Sequence, residues 1–207
     1  MQTESPPLRA HYHHGDLPNA LIDAATALAR EGGPQAVVLR EAARRVGVSP
    51  AAAYRHFLTH EQLQHAVRVR ALGALAAAIE HALSHRAPQT EPAADALCRL
   101  RVIGSSYVRF ALAEPGLFRS AFHPRIHAAA TARSQPLHLL TDALDRLVAC
   151  GLLPPERRAH AEFPAWAAFH GLATLFLDDG PGVFTQPEQR EAALRRTLET
   201  VVNGLTR

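Results

Sequence analysis

Residues 36–63, AVVLREAARRVGVSPAAAYRHFLTHEQL, hold the chain's densest set of groups suited to a polyanion: Arg40, Arg44, Arg45, Tyr54, Arg55, His56 and His60. A guanidinium can donate two parallel hydrogen bonds to the edge of a guanine, and a phenol, a guanidinium or an imidazole can reach phosphate oxygens. Ser49, Pro50, Ala51, Ala52 and Ala53 lie between these groups. An alanine side chain forms no hydrogen bond with a base. It is small enough to let a helix approach closely, and it can pack on a thymine methyl group.

These residues need two short helices to present them. Leu39, Ala42, Ala43 and Val46 recur at helical spacing, with Arg40, Glu41, Arg44 and Arg45 on the other faces. Gly47 follows where a helix turns out through a left-handed residue, and Val48 can plug the gap between the helices. Ser49 suits an N-cap and Pro50 a first helical position. Phe57 falls on the apolar side, as core, whereas Tyr54 is read as serving both packing and contact. The unit predicted is a helix-turn-helix that offers its second helix to the DNA major groove. An ordinary helical hairpin shares the glycine. The joint occurrence of cap, glycine, small-residue face and basic–aromatic end separates the two.

GVSPAAAYRHF is similar to the third-helix signature of the TetR (tetracycline repressor) family of bacterial regulators. The resemblance extends upstream through HHGDLPNALIDAATALAREGGPQAVVLREAARRV and downstream through LTHEQLQHAV, covering roughly residues 14–70. It implies DNA contacts at Arg40, Ser49, Pro50, Ala51, Ala52, Tyr54, Arg55, His56 and His60. Arg40 falls where the family reads a guanine, Tyr54 and His56 where it contacts phosphate, and Arg55 could serve either role. Two positions depart from the family pattern. Val38 stands where relatives carry Thr or Ser, so it neither caps the helix nor donates to a phosphate. His60 stands where relatives carry Lys, which makes that contact weaker and pH-sensitive, with tighter binding expected at pH 6 than at pH 8.

Composition sets wider bounds. The 207 residues and 47% hydrophobic content suit a globular protein, and all 22 basic residues are arginine. The net charge is +3, and residues 1–70 carry eight arginines against six acids, an asymmetry too slight to argue for DNA by itself. Cys98 and Cys150 are read as reduced thiols of a cytoplasmic protein. No apolar signal core is apparent, and the run from Ala165 to Leu177 is too short to span a bilayer. The sequence shows no Gly-rich phosphate loop, no readable Ser-His-Asp arrangement and no HExxH motif. No enzyme, cofactor or metal is therefore expected. His11, His13 and His14 lack a well-placed fourth ligand.

Helical spacing runs almost throughout, so the expected fold is all-α with about nine helices. The expected divisions are a flexible arm over 1–16, a helix-turn-helix domain over 17–62 and a ligand-binding and dimerisation domain over 63–207. The later helices are expected at about 61–85, 93–113, 117–122, 137–150, 156–177 and 187–205. Tyr107, Phe110, Phe118, Phe122, Trp166 and His170 are candidates to line a small-molecule site, against the plainer reading of aromatic core. WAAFHG, Trp166 to Gly171, resembles a Trp-…-His-Gly segment of one subgroup of the family's ligand domains. By the same resemblance Leu172, Leu175, Phe176, Leu194, Leu198, Val201 and Val202 form a dimer face that a monomer would leave exposed.

Together these point to a homodimeric repressor that binds a palindromic double-stranded DNA operator and is released by a small-molecule effector. An activator with the same DNA domain is an alternative. So is an all-α small-molecule-binding protein that has lost DNA binding.

Overall fold

The computed structural model describes residues 16–123, 134–178 and 186–206, together with Gly182 and Phe184. The His-rich arm lies almost wholly outside the described residues. Nine α-helices and no strand occur among the described residues: α1 (Leu17–Gly32), α2 (Leu39–Val46), α3 (Pro50–Tyr54), α4 (His60–Ser84), α5 (Pro92–Ala113), α6 (Pro115–Ala121), α7 (Gln135–Ala149), α8 (Glu162–Leu177) and α9 (Pro187–Thr206). None is long and apolar enough to cross a membrane.

One helix begins later than its spacing suggests. Residues 156–161 have helical composition, but Pro155–Arg157 forms a 3-10 turn and His160 takes a φ of 63°. That left-handed residue breaks the run, so α8 starts at Glu162.

Helices α1, α2 and α3 form a head around Leu21, Ala25, Leu39, Ala43, Ala53 and Phe57. Helix α4 enters this core with Leu63 and Val67, then continues into the body with Leu75 and Ile79, all four at most 1% exposed. The apolar core is continuous from Leu21 to Leu205. Removing a fully buried leucine such as Leu63 would cost about 2–5 kcal/mol.

The head and body also meet at α6. A Cβ on Gly116 would lie 2.1 Å from the Ala29 carbonyl oxygen and 2.8 Å from that of Arg30, so only glycine lets α6 rest on the last turn of α1. Arg30 Nε donates to Glu114 Oε2 at 3.2 Å across the same seam.

Candidate nucleic-acid interface and adjoining cavity

Helix α2 closes at Gly47, whose φ of 78° lies in the left-handed region. Its N–H donates to the Arg44 carbonyl at 3.2 Å, and that of Val48 donates to Ala43 at 3.0 Å. This pair satisfies carbonyls that a helix end leaves open. Ser49 Oγ then accepts the Ala52 N–H at 3.2 Å, and Pro50 opens α3. Val38 precedes α2 with no side-chain cap, in keeping with its apolar side chain.

Helix α3 is only five residues long. Arg55 and His56 therefore lie in the turn that follows it. That turn returns Phe57 to the core, where it is 8% exposed, while Tyr54 stays 41% exposed. Arg40, Ser49, Pro50, Ala51, Tyr54, Arg55, His56 and His60 are all exposed, and Ala52 is half-buried. Eight of the nine expected contact residues are thus exposed, while Ala53 and Phe57 beside them are buried.

The four arginines of α2 and the turn after α3 divide into two pairs. Arg44 donates to both carboxylate oxygens of Glu41, at 2.9 and 2.7 Å. Arg45 grips Glu31 through both terminal nitrogens, at 2.7 and 2.5 Å, and lies 3.6 Å from Glu41. Hydrogen bonds from Arg45 and Arg44 hold the carboxyls of Glu31 and Glu41, respectively, below the usual range. Arg40 and Arg55 form no ion pair among the described residues. Arg45 ties α2 to α1, Arg44 is paired within α2, and Arg40 and Arg55 remain available to a ligand.

Sequence reasoning missed the device that sets His60. Thr59 Oγ1 accepts the Gln62 N–H at 3.2 Å, and Gln62 Oε1 accepts the Leu58 N–H at 2.8 Å. The Thr-x-x-Gln spacing was the available signal.

In the body, Tyr107, Phe118, Phe122, Trp166 and His170 form one ring cluster, with centroids 4.8 to 6.2 Å apart in the contacting pairs. Tyr107 Oη lies 2.8 Å from His170 Nδ1. Burial raises the Tyr107 phenol and lowers the His170 imidazole, which keeps both neutral. Phe110 is buried but makes no ring contact with this cluster.

The space enclosed beside Tyr107, Trp166 and Phe169 is about 10 Å³, so that part is filled core. A cavity of about 340 Å³ opens on the other side, lined by Phe118, Phe122 and His170 together with Pro34, Arg119, His123, Thr174, Leu177 and Asp178. Three of the six expected lining residues reach it. Arg119, His123, Thr174 and Asp178 carry no local sequence signal, because α6, α8 and the turn at Pro34 meet only in the folded chain.

The expected dimer stripe is largely spent inside the chain. Leu172, Phe176, Leu194 and Val202 are at most 7% exposed, and Leu198 and Val201 are half-buried. Leu175 alone of that set is exposed, at 45%. Apolar spacing marks a buried face without saying what buries it, and here much of the cover comes from α5 and the packing of α8 on α9.

Comparisons with known proteins agree with this architecture. Residues 21–67 match the family model for bacterial regulatory proteins of the tetR family, and residues 100–201 match that for a tetracyclin repressor-like C-terminal domain. No curated protein matches the chain. Among solved structures it is similar to a protein of unknown function from Rhodococcus sp. RHA1, with 26% identity, coverage of 96% of this chain and 100% of that one, and a TM-score of 0.75. It also shares its fold with the regulator PfmR from Thermus thermophilus, with 24% identity, coverage of 90% and 99%, and a TM-score of 0.58. A TetR variant from Acinetobacter baumannii AYE in complex with minocycline has the fold too, with 19% identity, coverage of 90% and 94%, and a TM-score of 0.63. Matched in its head and in its body by models of the same family, the chain belongs to the TetR family of DNA-binding transcriptional regulators.

Proposed function

We propose that the chain is a homodimeric cytoplasmic repressor that holds a palindromic operator through two copies of its head and releases it when a small molecule occupies the body. The observation that carries this reading is the division of those four arginines. Arg40 and Arg55 stand exposed, as do Tyr54 and His56, while Arg44 and Arg45 are tied to Glu41 and Glu31. In this reading Arg40 donates to a guanine edge. Ala51 and Ala52 pack on thymine methyl groups, and Tyr54, His56 and His60 contact phosphates.

Pairing is assigned to the outward face of α8. Phe163 is 61% exposed, and Ala167, Gly171 and Leu175 continue the same face at four-residue intervals. A Cβ on Gly171 would meet nothing within 4 Å, so internal packing does not require a glycine there. A symmetry-related helix could approach closely at that point and cover Phe163 and Leu175. In this reading the two heads meet half-sites about one DNA turn apart, or slightly more.

Release follows if the effector prefers a head spacing different from the one DNA requires, and the coupling cannot exceed that preference. Helix α4 joins head and body in one element, and α6 touches α1 at Gly116. The minocycline complex of the Acinetobacter neighbour supports a small-molecule role for this fold.

Light scattering of the chain, alone and on a selected operator duplex, tests the assembly. Two chains are expected in both states. A monomer that binds DNA as a single chain would remove the dimer from the account.

A further inference from the structure

The repressor reading leaves the effector's chemistry open, and the cavity between α6, α8 and Pro34 narrows it. Arg119 uses one terminal nitrogen for both of its bonds, to the Leu177 carbonyl at 2.9 Å and to Asp178 Oδ1 at 3.2 Å. Its remaining N–H groups have no acceptor among the described residues. His123 Nδ1 is buried on the same wall, also without a partner among the described residues. A buried nitrogen left in this state is unfavourable until it gains a partner. Among the described residues Asp178 is the one carboxylate lining the cavity, and it is already engaged by Arg119. Donors therefore outnumber acceptors. Phe122, Leu177 and Pro34 supply an apolar wall, and the 340 Å³ volume lies at the small end of ordinary ligand cavities, roughly 300–1,000 Å³.

We propose that this cavity binds a small carboxylic acid with an apolar body, its carboxylate held by Arg119 and His123 and its body against Phe122 and Leu177. The inference rests on the ligand-responsive reading of the body and specifies the effector's class. The acid takes the free N–H groups of Arg119, and the charge of Asp178 on the same guanidinium opposes it. Pro34 belongs to the turn that follows α1, so the occupied cavity touches the head directly.

The test titrates the full chain with phenylacetate and hexanoate, and with phenylacetamide, phenethylamine and inorganic phosphate as counterparts. Binding is read by calorimetry and by the fluorescence of Trp166. It is the sole tryptophan, and its ring lies 5.9 Å from that of Phe122. At least one acid is expected to bind saturably, and the amide, amine and phosphate to bind about tenfold more weakly or worse, the loss of one charge-assisted bond. Arg119→Gln should weaken the acid by a similar factor, and Asp178→Asn, which removes the opposing charge, should tighten it. Unchanged thermal melting of both variants excludes a folding defect as the cause. Phenylacetamide or phenethylamine binding as tightly as phenylacetate would overturn the proposal, as would an acid affinity indifferent to Arg119→Gln. So would the failure of both acids to bind a chain that still selects an operator. Acid binding by a chain that selects no DNA would support this site and remove the repressor reading instead.

Discussion

In the head, Arg40, Tyr54, Arg55 and His56 come from one short stretch of chain and project from a small core of Ala53 and Phe57. In the body, the cavity takes Pro34 from the turn after α1, Phe118 from α6 and His170 from α8, segments far apart in sequence. The head offers charge on a surface whose local hydrogen bonds fix its shape. The body sets neutral rings and the Arg119–Asp178 pair beside a gap whose shape depends on how three segments pack. A surface of the first kind can lose a side chain and keep its fold. The second kind is sensitive to any change in that packing.

The largest expected effect tests the head half of that contrast. Arg40→Ala should cost about 1–3 kcal/mol of operator affinity per half-site and relax discrimination at one base position. Its urea midpoint should not move. An equal loss of affinity for every sequence would show Arg40 to be a phosphate contact instead.

Gly116→Ala tests the seam. Alanine in place of a helical glycine ordinarily stabilises by about 0.5–1 kcal/mol. Here the added Cβ meets the Ala29 carbonyl, so the sign should reverse, with a loss of roughly 1–3 kcal/mol in urea unfolding. A gain in stability would mean that α6 and α1 separate at no cost.

Arg55→Ala should flatten the log–log salt dependence of operator binding by about 0.9 if its guanidinium neutralises one phosphate. An unchanged slope would count against that role.

A smaller, pH-linked effect belongs to His170. Burial lowers its pKa below the unfolded value, so the unfolded chain binds the extra proton first. The stability held by the neutral ring is present above about pH 6.5 and lost as pH falls through the folded value. His170→Gln should therefore weaken the decline in melting temperature between pH 7 and pH 5.

Arg44→Ala should do least, leaving operator affinity unchanged because that guanidinium is committed to Glu41. A loss as large as that of Arg40→Ala would erase the distinction between the two arginine pairs.

The same contrast explains what the chain reveals before it folds. The end of α2 at Gly47, the Ser49 cap and the Pro50 start of α3 are local events, each governed by a few neighbouring residues, and all are legible as residue types. The burial of Phe57 is expected from its apolar side chain, but the turn after α3, not helical spacing, brings it to the core. Arg119, His123 and Asp178 give no such signal, because nothing near them in sequence marks a shared cavity. The stripe through Leu172, Phe176 and Leu194 shows the limit from another side. Its period correctly marks a buried face, but the same period serves a core and an interface, and here the core takes most of it.

Selection of bound duplexes from a random DNA library by the full chain tests the central claim most directly. The exposed surface around Arg40 and Tyr54 should enrich an inverted repeat, with half-sites about one helical turn apart or slightly more. Arg40→Ala should lose one position from each half-site. A library that returns no preferred sequence from the unaltered chain would contradict the account.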